Sequence, residues 1–297
     1  MKLWQTTWAL WKQHPRERVK LVLGALFFRQ STHQWLAYLH ERPALWRQVA
    51  RFPKLVTRIY RPYALRGLGC TQRVHHMMGH YDSLRQMGLC QLVAQSVDAP
   101  LDLLRLPTKC GTDAVLRLVS VYDGHREGEM HLQLLWGGEW LYSLSFLLRP
   151  RDHQVDMVIT RLQGTRAGDA RERIRAATKA FHGLRPAALL VQAARQLAHS
   201  AGCESVLLVS HRQRVALNPM RRRKIQTDLE SLWLELGAGT HAEGFFTVSP
   251  RVEVATDFSA VASNKRAEAR RRAELLQQTL GAVEQAVRAS LPEVLSA

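Results

Sequence analysis

VDMVITRLQG (155–164), ARERIRAATKAFHGLRP (170–186) and AALLVQAARQLAHSAGCESVLLVS (187–210) decide how this chain folds. The first segment is an apolar run ending in Gln163-Gly164, as a strand leaving a sheet would. The second has helical spacing. It stops at His182-Gly183, where glycine suits the residue just past a helix end. Pro186 then opens a new helix, because proline lacks the N–H that a first turn leaves unbonded anyway. Leu189, Leu190, Ala193 and Leu197 share one face of that helix. Gly202 closes it, and ESVLLVS (204–210) is apolar enough for a strand buried on both sides. Strand, helices and strand in this order form a β-α-β unit, right-handed if the strands are parallel neighbours. The turn TKAFHGLRP (178–186) lies at the start of a helix, where free N–H groups can hold an anion.

Upstream, AVLRLVSVYD (114–123), EMHLQLLW (129–136) and WLYSLSFLLR (140–149) alternate with period two. Gly-containing links join them, which predicts consecutive antiparallel hairpins. Residues 1 to about 105 show helical spacing, divided by Pro43, Pro53 and Pro62, with no strand-like alternation before Pro107. Downstream, IQTDLESLWLELG (225–237) is an amphipathic helix, and GFFTVS (244–249) and RVEVA (251–255) are two further strands. A long helix starting near Ser263 ends the chain. The expected class is α+β: a helical region over 1–110, then a mixed, mostly antiparallel sheet with flanking helices over 111–297.

The chain has 297 residues, 42 Lys plus Arg and 25 Asp plus Glu, a formal net charge of +17. That excess predicts an anionic partner: nucleic acid such as tRNA, a phosphorylated CoA-like cofactor, or an anionic membrane surface. The plainer alternative is charge that only limits aggregation. Arg212, Arg214, Arg221, Arg222, Arg223 and Lys224 form one basic cluster, and Lys265, Arg266, Arg270, Arg271 and Arg272 another. Neither is interleaved with aromatics, which speaks against single-strand readout. Cys70, Cys90, Cys110 and Cys203 make no C-x-x-C pair, so they are expected as free, buried thiols in a reducing cytosol. Leu21–Phe28 falls far short of the ~20 apolar residues of a membrane span. Trp4, Trp8 and Trp11 share a helical face beside basic residues, either a packed face or an interfacial anchor. The chain is therefore expected in the cytoplasm, with peripheral attachment at the inner membrane as an option.

From residue 114 the order β-β-β-β-α-α-β-α-β resembles the GCN5-related N-acetyltransferase fold. That resemblance implies that the helix after the fourth strand receives the pyrophosphate of acyl-CoA. The family's loop is Q/R-x-x-G-x-G/A. Here His182-Gly183-Leu184-Arg185-Pro186 holds one glycine where two are expected. GHYDSL (79–84), EGEMHLQL (127–134), LQG (162–164), TKAFHGLRPAALL (178–190), WLELGA (233–238) and SNKRAEARRR (263–272) together resemble the VirK/YbjX family of Gram-negative bacteria. The resemblance implies a role in virulence, envelope integrity and antimicrobial-peptide resistance. It supplies a biological neighbourhood and no reaction.

Lys179, His182 and Arg185 recur at intervals of three across the turn. In the functional reading Lys179 and Arg185 grip an anion and His182 transfers a proton, its ordinary pKa suiting that task. In the structural reading His182 and Gly183 merely end a helix. Gln163, Gly164, Gly183 and Arg185 are the candidate cofactor contacts, with acyl-CoA or aminoacyl-tRNA as donor. His76 and His80 have zinc-chelating spacing, but no nearby carboxylate or cysteine completes a set, so no metal is expected. His80-Tyr81 is expected to tie the helical half to the sheet. Glu127 and Glu129 flank a hairpin and are expected as solvated charge, with paired acid–base work as the alternative. The second hypothesis is a non-enzymatic peripheral membrane factor; the third is a nucleic-acid-binding module.

Overall fold

The computed structural model describes residues 14–120, 125–166, 168–215 and 228–291. Among the described residues six α-helices come first: α1 Pro15–Phe27, α2 Arg29–His40, α3 Pro43–Arg51, α4 Lys54–Thr57, α5 Cys70–Gln86 and α6 Cys90–Asp98. Five strands follow: β1 Leu101–Pro107, β2 Asp113–Ser120, β3 Met130–Trp136, β4 Glu139–Arg151 and β5 Gln154–Gly164. Then come α7 Ala170–Ala180, α8 Pro186–Ala201, β6 Ser205–Leu208, α9 Leu229–Glu235, β7 Gly239–Thr240, β8 Phe246–Val248 and α10 Ser263–Ser290. The fold is α+β. One sheet runs β1-β2-β3-β4-β5-β6-β8-β7. Every pair is antiparallel except β5–β6. That parallel pair is the one α8 connects, as the opening β-α-β reading requires.

Two helical layers sandwich the sheet. On one face α8 and α10 cover β1–β4, and Phe181, Leu189, Leu190 and Leu275 meet Leu104, Leu106, Ala114, Leu116 and Leu134 around a small apolar void. Each leucine fully buried there stabilises by about 1.5–3 kcal/mol. α6 packs on β2 from this same side, its Ser96 hydroxyl 2.6 Å from that of Ser120, which alternates in line with Ala114 and Leu116. On the other face α5 packs on β4. Gly79 permits the α5 contact, since a Cβ there would lie 2.8 Å from the Pro150 ring. His80 Nδ1 accepts the Leu148 N–H at 3.0 Å, and the Tyr81 hydroxyl donates to Glu129 at 2.6 Å. His80-Tyr81 thus ties the helical half to the sheet, and one buried apolar cluster runs through both halves.

Several expectations fail. A strand, β1, occupies 101–107, inside the region read as helical. RVEVA is not a strand: Arg195 reaches across to donate to the Ser249 and Arg251 carbonyls at 2.8 and 2.7 Å, so a side chain holds this segment where a ladder was expected. All four cysteines are free, yet Cys90 and Cys110 are exposed. Glu129 is not solvated: it is fully buried against Arg58. Glu127 is half-buried and paired with Arg161 at 3.2 Å.

Candidate functional site at the carboxyl end of β5

β5 and β6 pair only from Asp156↔Ser205 to Ile159↔Leu208. The Val209 N–H closes the seam on the Ile159 carbonyl at 3.1 Å, after which the two chains part. β5 continues to Gly164, paired on its β4 side alone. Thr160 is the extra residue of a bulge there, since Ser145 pairs with Arg161 and Phe146 with Ile159. Bulges gather beside active sites because they re-aim a strand. α8 starts against this end. Arg185 is its N-cap, Pro186 its first residue, and its first ladder bond runs from Leu189 N to Arg185 O at 3.0 Å. The Ala187 and Ala188 N–H groups therefore point out of the helix end, toward which its dipole is positive.

The predicted residues divide between two places. Gly164 faces the Tyr142 ring so closely that a Cβ would stand 3.0 Å from it. Burial pushes the Tyr142 phenol up, and the charge of Arg185 opposes this, so Arg185 lies near the same ring. Arg185 also pairs with Glu235 on α9. Gln163 points to the opposite face of the sheet, where its amide oxygen accepts from Arg161. Arg185 and Gly164 thus share the α8 side, and Gln163 does not.

Lys179 and His182 belong elsewhere. His182 (φ 54°) and Gly183 (φ 81°) end α7, and Gly183 N bonds Thr178 O at 2.8 Å. This six-to-one bond is the helix-ending geometry expected of that glycine. Lys179 is exposed. His182 is half-buried, and burial, then Lys109 and Arg271, hold its pKa below the usual value. Arg272 reaches Gly183, and Lys109 pairs with Glu268 at 3.2 Å. The turn therefore meets the basic first half of α10, which also carries exposed Lys265 and Arg266. Arg266 is tied to the Val261 and Ser259 carbonyls at 2.8 and 3.0 Å. Arg221, Arg222, Arg223 and Lys224 lie outside the described residues, as do Trp4, Trp8 and Trp11.

The predicted set omits a polar seam inside the molecule. At its inner end Arg58 donates to both Glu129 oxygens at 2.5 and 2.6 Å. Burial would raise the Glu129 carboxyl, but the charge and hydrogen bonds of Arg58, with the Tyr81 hydroxyl, hold it below its ordinary value. Burial and the same carboxylate push the Tyr63 phenol far up. Burial keeps His80 and His131 neutral, with pKa values lowered to about 4 and about 3. Across β3, β4 and β5 the register sets His131, Ser145 and Arg161 side by side, and Gln133, Ser143 and Gln163 beside them. The signal was present in the sequence: EGEMHLQL places Glu127, Glu129, His131 and Gln133 at alternate positions, and Ser143/Ser145 and Arg161/Gln163 repeat the spacing. Among the described residues no group of three or more His, Cys, Asp or Glu could hold a metal.

Comparison with known proteins places the chain. A family model described as "Protein of unknown function (DUF535)" matches residues 11–285. The chain belongs to this family. The uncharacterized protein YbjX of Escherichia coli is 29% identical over 266 residues, 87% of this chain and 80% of its own length. An uncharacterized protein of Haemophilus influenzae is 30% identical over 122 residues, 41% of each chain. The family resemblance carried by the motifs therefore holds. Among solved structures, a mutant cAMP-binding acyltransferase from Mycobacterium smegmatis superimposes distantly, with a TM-score of 0.30 and 11% identity over 70% of this chain and 61% of that one.

Proposed function

We propose that the chain transfers an acyl or aminoacyl group, with the donor lying over residues 160–164 of β5 and the first turn of α8. One observation carries this reading: β5 outruns its pairing with β6 by five residues, and the two strands part where the N-terminus of a helix of 16 residues supplies free N–H groups. Open α/β sheets bind ligands outside the carboxyl ends of strands that part in this way. Arg185 and the Ala187 and Ala188 N–H groups hold the donor's phosphate. Gly164 and Tyr142 flank the donor. In transfer, an acceptor amine attacks the donor carbonyl and loses a proton, while a CoA thiol or a tRNA hydroxyl leaves and takes one. Lys179 and His182, the latter beside Lys109 and Arg271, serve as contacts for the donor's outlying phosphates. An aminoacyl-tRNA accounts for a net charge of +17 better than CoA does.

Mass spectrometry of the gently purified chain tests this. Co-purifying acyl-CoA or aminoacyl-tRNA, released by Arg185→Ala, is the expected result. Finding neither, together with full biological activity in a Lys179→Ala/His182→Ala double variant, overturns the proposal. The family resemblance supports a cytoplasmic role in envelope integrity, virulence and antimicrobial-peptide resistance. Increased killing of a deletion strain by a cationic peptide, reversed by the wild-type gene, is the expected phenotype.

A second reading rests on α1. Val19, Leu23, Leu26, Phe27 and Phe28 are exposed, Leu26 and Phe27 by 74% and 79%, next to Arg16 and Arg29. No helix among the described residues is long and apolar enough to cross a membrane. An apolar helix face flanked by arginines suits peripheral attachment to anionic lipid. Flotation with phosphatidylglycerol vesicles, lost on Leu26→Asp/Phe27→Asp, supports it; equal flotation of that variant refutes it.

A further inference from the structure

The sheet face turned away from α8 carries a second feature, independent of the transfer reading. Cross-strand partners point to the same side of a sheet, so His131, Ser145 and Arg161 line one row there. Arg161 is half-buried, with Glu127 at 3.2 Å and the Gln163 amide as its partners. Arg214 comes from the segment after β6, where it bridges Leu65 while Gln213 O accepts the Arg66 N–H at 2.8 Å. Arg214 is only 9% exposed, and its Nη1 is buried with no acceptor. Its guanidinium lies within electrostatic reach of Glu127 and Arg161, and burial and Arg161 both work against its charge. Two guanidinium groups, one buried and one half-buried, thus share one carboxylate.

The same place holds two further unmatched groups. Ser145 Oγ and His131 Nε2 are buried and have no hydrogen-bond partner. His125 packs edge-on against the His131 ring, with ring centres 4.9 Å apart. Fully buried hydroxyls and imidazoles are ordinarily bonded, and a buried charge without a counter-charge is costly. A water molecule would satisfy the hydroxyl and leave the charge. An oxyanion satisfies both, and the planar fork of arginine matches carboxylate and phosphate oxygens in pairs.

We propose that Arg161 and Arg214 form a socket for the oxyanion, carboxylate or phosphate, of a small polar molecule, with Ser145 and His131 at its floor. The half-buried row of Gln133, Gln163 and Arg117 alongside gives the rest of that molecule amide and guanidinium partners. The ligand is therefore polar along its length.

The test titrates inorganic phosphate and sodium acetate into the full chain, with sodium chloride at matched ionic strength as reference. Saturable binding of at least one anion is expected, read by calorimetry and by a rise in melting temperature. Arg161→Gln and Arg214→Gln should each weaken it at least about tenfold, the order expected for losing a charge-assisted hydrogen bond. Arg185→Ala, at the separate α8 site, should leave it intact. In chloride alone Arg214→Gln should melt no lower than wild type, because it removes an uncompensated charge. Should an arginine-to-glutamine variant fold poorly, Arg161→Lys keeps the charge but not the fork and should still weaken binding. Absence of saturable binding overturns the proposal. So does binding that survives Arg214→Gln but is lost in Arg185→Ala, and so does a lower melting temperature of Arg214→Gln with unchanged anion response.

Discussion

Acid should weaken this fold through two buried imidazoles. His80 is enclosed beside Glu129 and Arg58, and His131 beside His125, Arg161, Glu129 and Arg58. Both are neutral when folded, with pKa values of about 4 and about 3, and both titrate near 6.5 once released. A folded pKa that is depressed means that the unfolded chain binds the proton first. The stability is therefore complete above 6.5 and is lost as pH falls through 6.5 toward the folded values. At about pH 5 each released imidazole is almost wholly protonated and each folded one is not. At about 1.4 kcal/mol per pH unit, that amounts to about 2 kcal/mol for each histidine. His80→Asn isolates one contribution, because the asparagine oxygen still accepts the Leu148 N–H. Urea unfolding followed by tryptophan fluorescence at about pH 7 and about pH 5 gives the comparison. The variant should lose about 2 kcal/mol less than wild type over that interval. An equal loss would refute the claim that His80 is held neutral.

Three further outcomes follow from the packing and the site. Glu129→Gln leaves Arg58 charged and buried, so denaturant unfolding should show a loss of about 3–5 kcal/mol, while a double replacement of Arg58 and Glu129 by apolar residues should cost less than the sum of the single changes. Gly79→Ala drives a methyl into the Pro150 ring and should cost about 1–3 kcal/mol in the same assay. Gly164→Ala presses on Tyr142 at the end of β5 and should weaken binding of an acyl-CoA or aminoacyl-tRNA donor more than it lowers the melting temperature.

What could be read in advance was whatever local chemistry decides. Pro186 and Gly202 bracket α8 in sequence as they do in space, and the period-two runs became β2 to β5. β1 was missed because Pro100 and Pro107 bracket it and LDLLRLP alternates poorly, so its place comes from pairing with β2. RVEVA alternates well but is held by Arg195, more than fifty residues earlier, through its carbonyls. Glu129 looked like a hairpin tip for the same kind of reason, since its partner Arg58 lies 71 residues away. Single positions also misled at the site. Lys179, His182 and Arg185 are neighbours in sequence, but the left-handed turn at His182-Gly183 sends Arg185 to surroundings apart from the other two. Arg161 and Arg214 meet only through the fold.

Hydrogen–deuterium exchange with and without donor tests the central claim most directly. Added acyl-CoA or aminoacyl-tRNA should protect backbone amides in 160–164 and 187–189, the free stretch of β5 and the first turn of α8. Protection confined to the basic turns of α10, with both of those segments unchanged, would contradict a donor site at the end of β5.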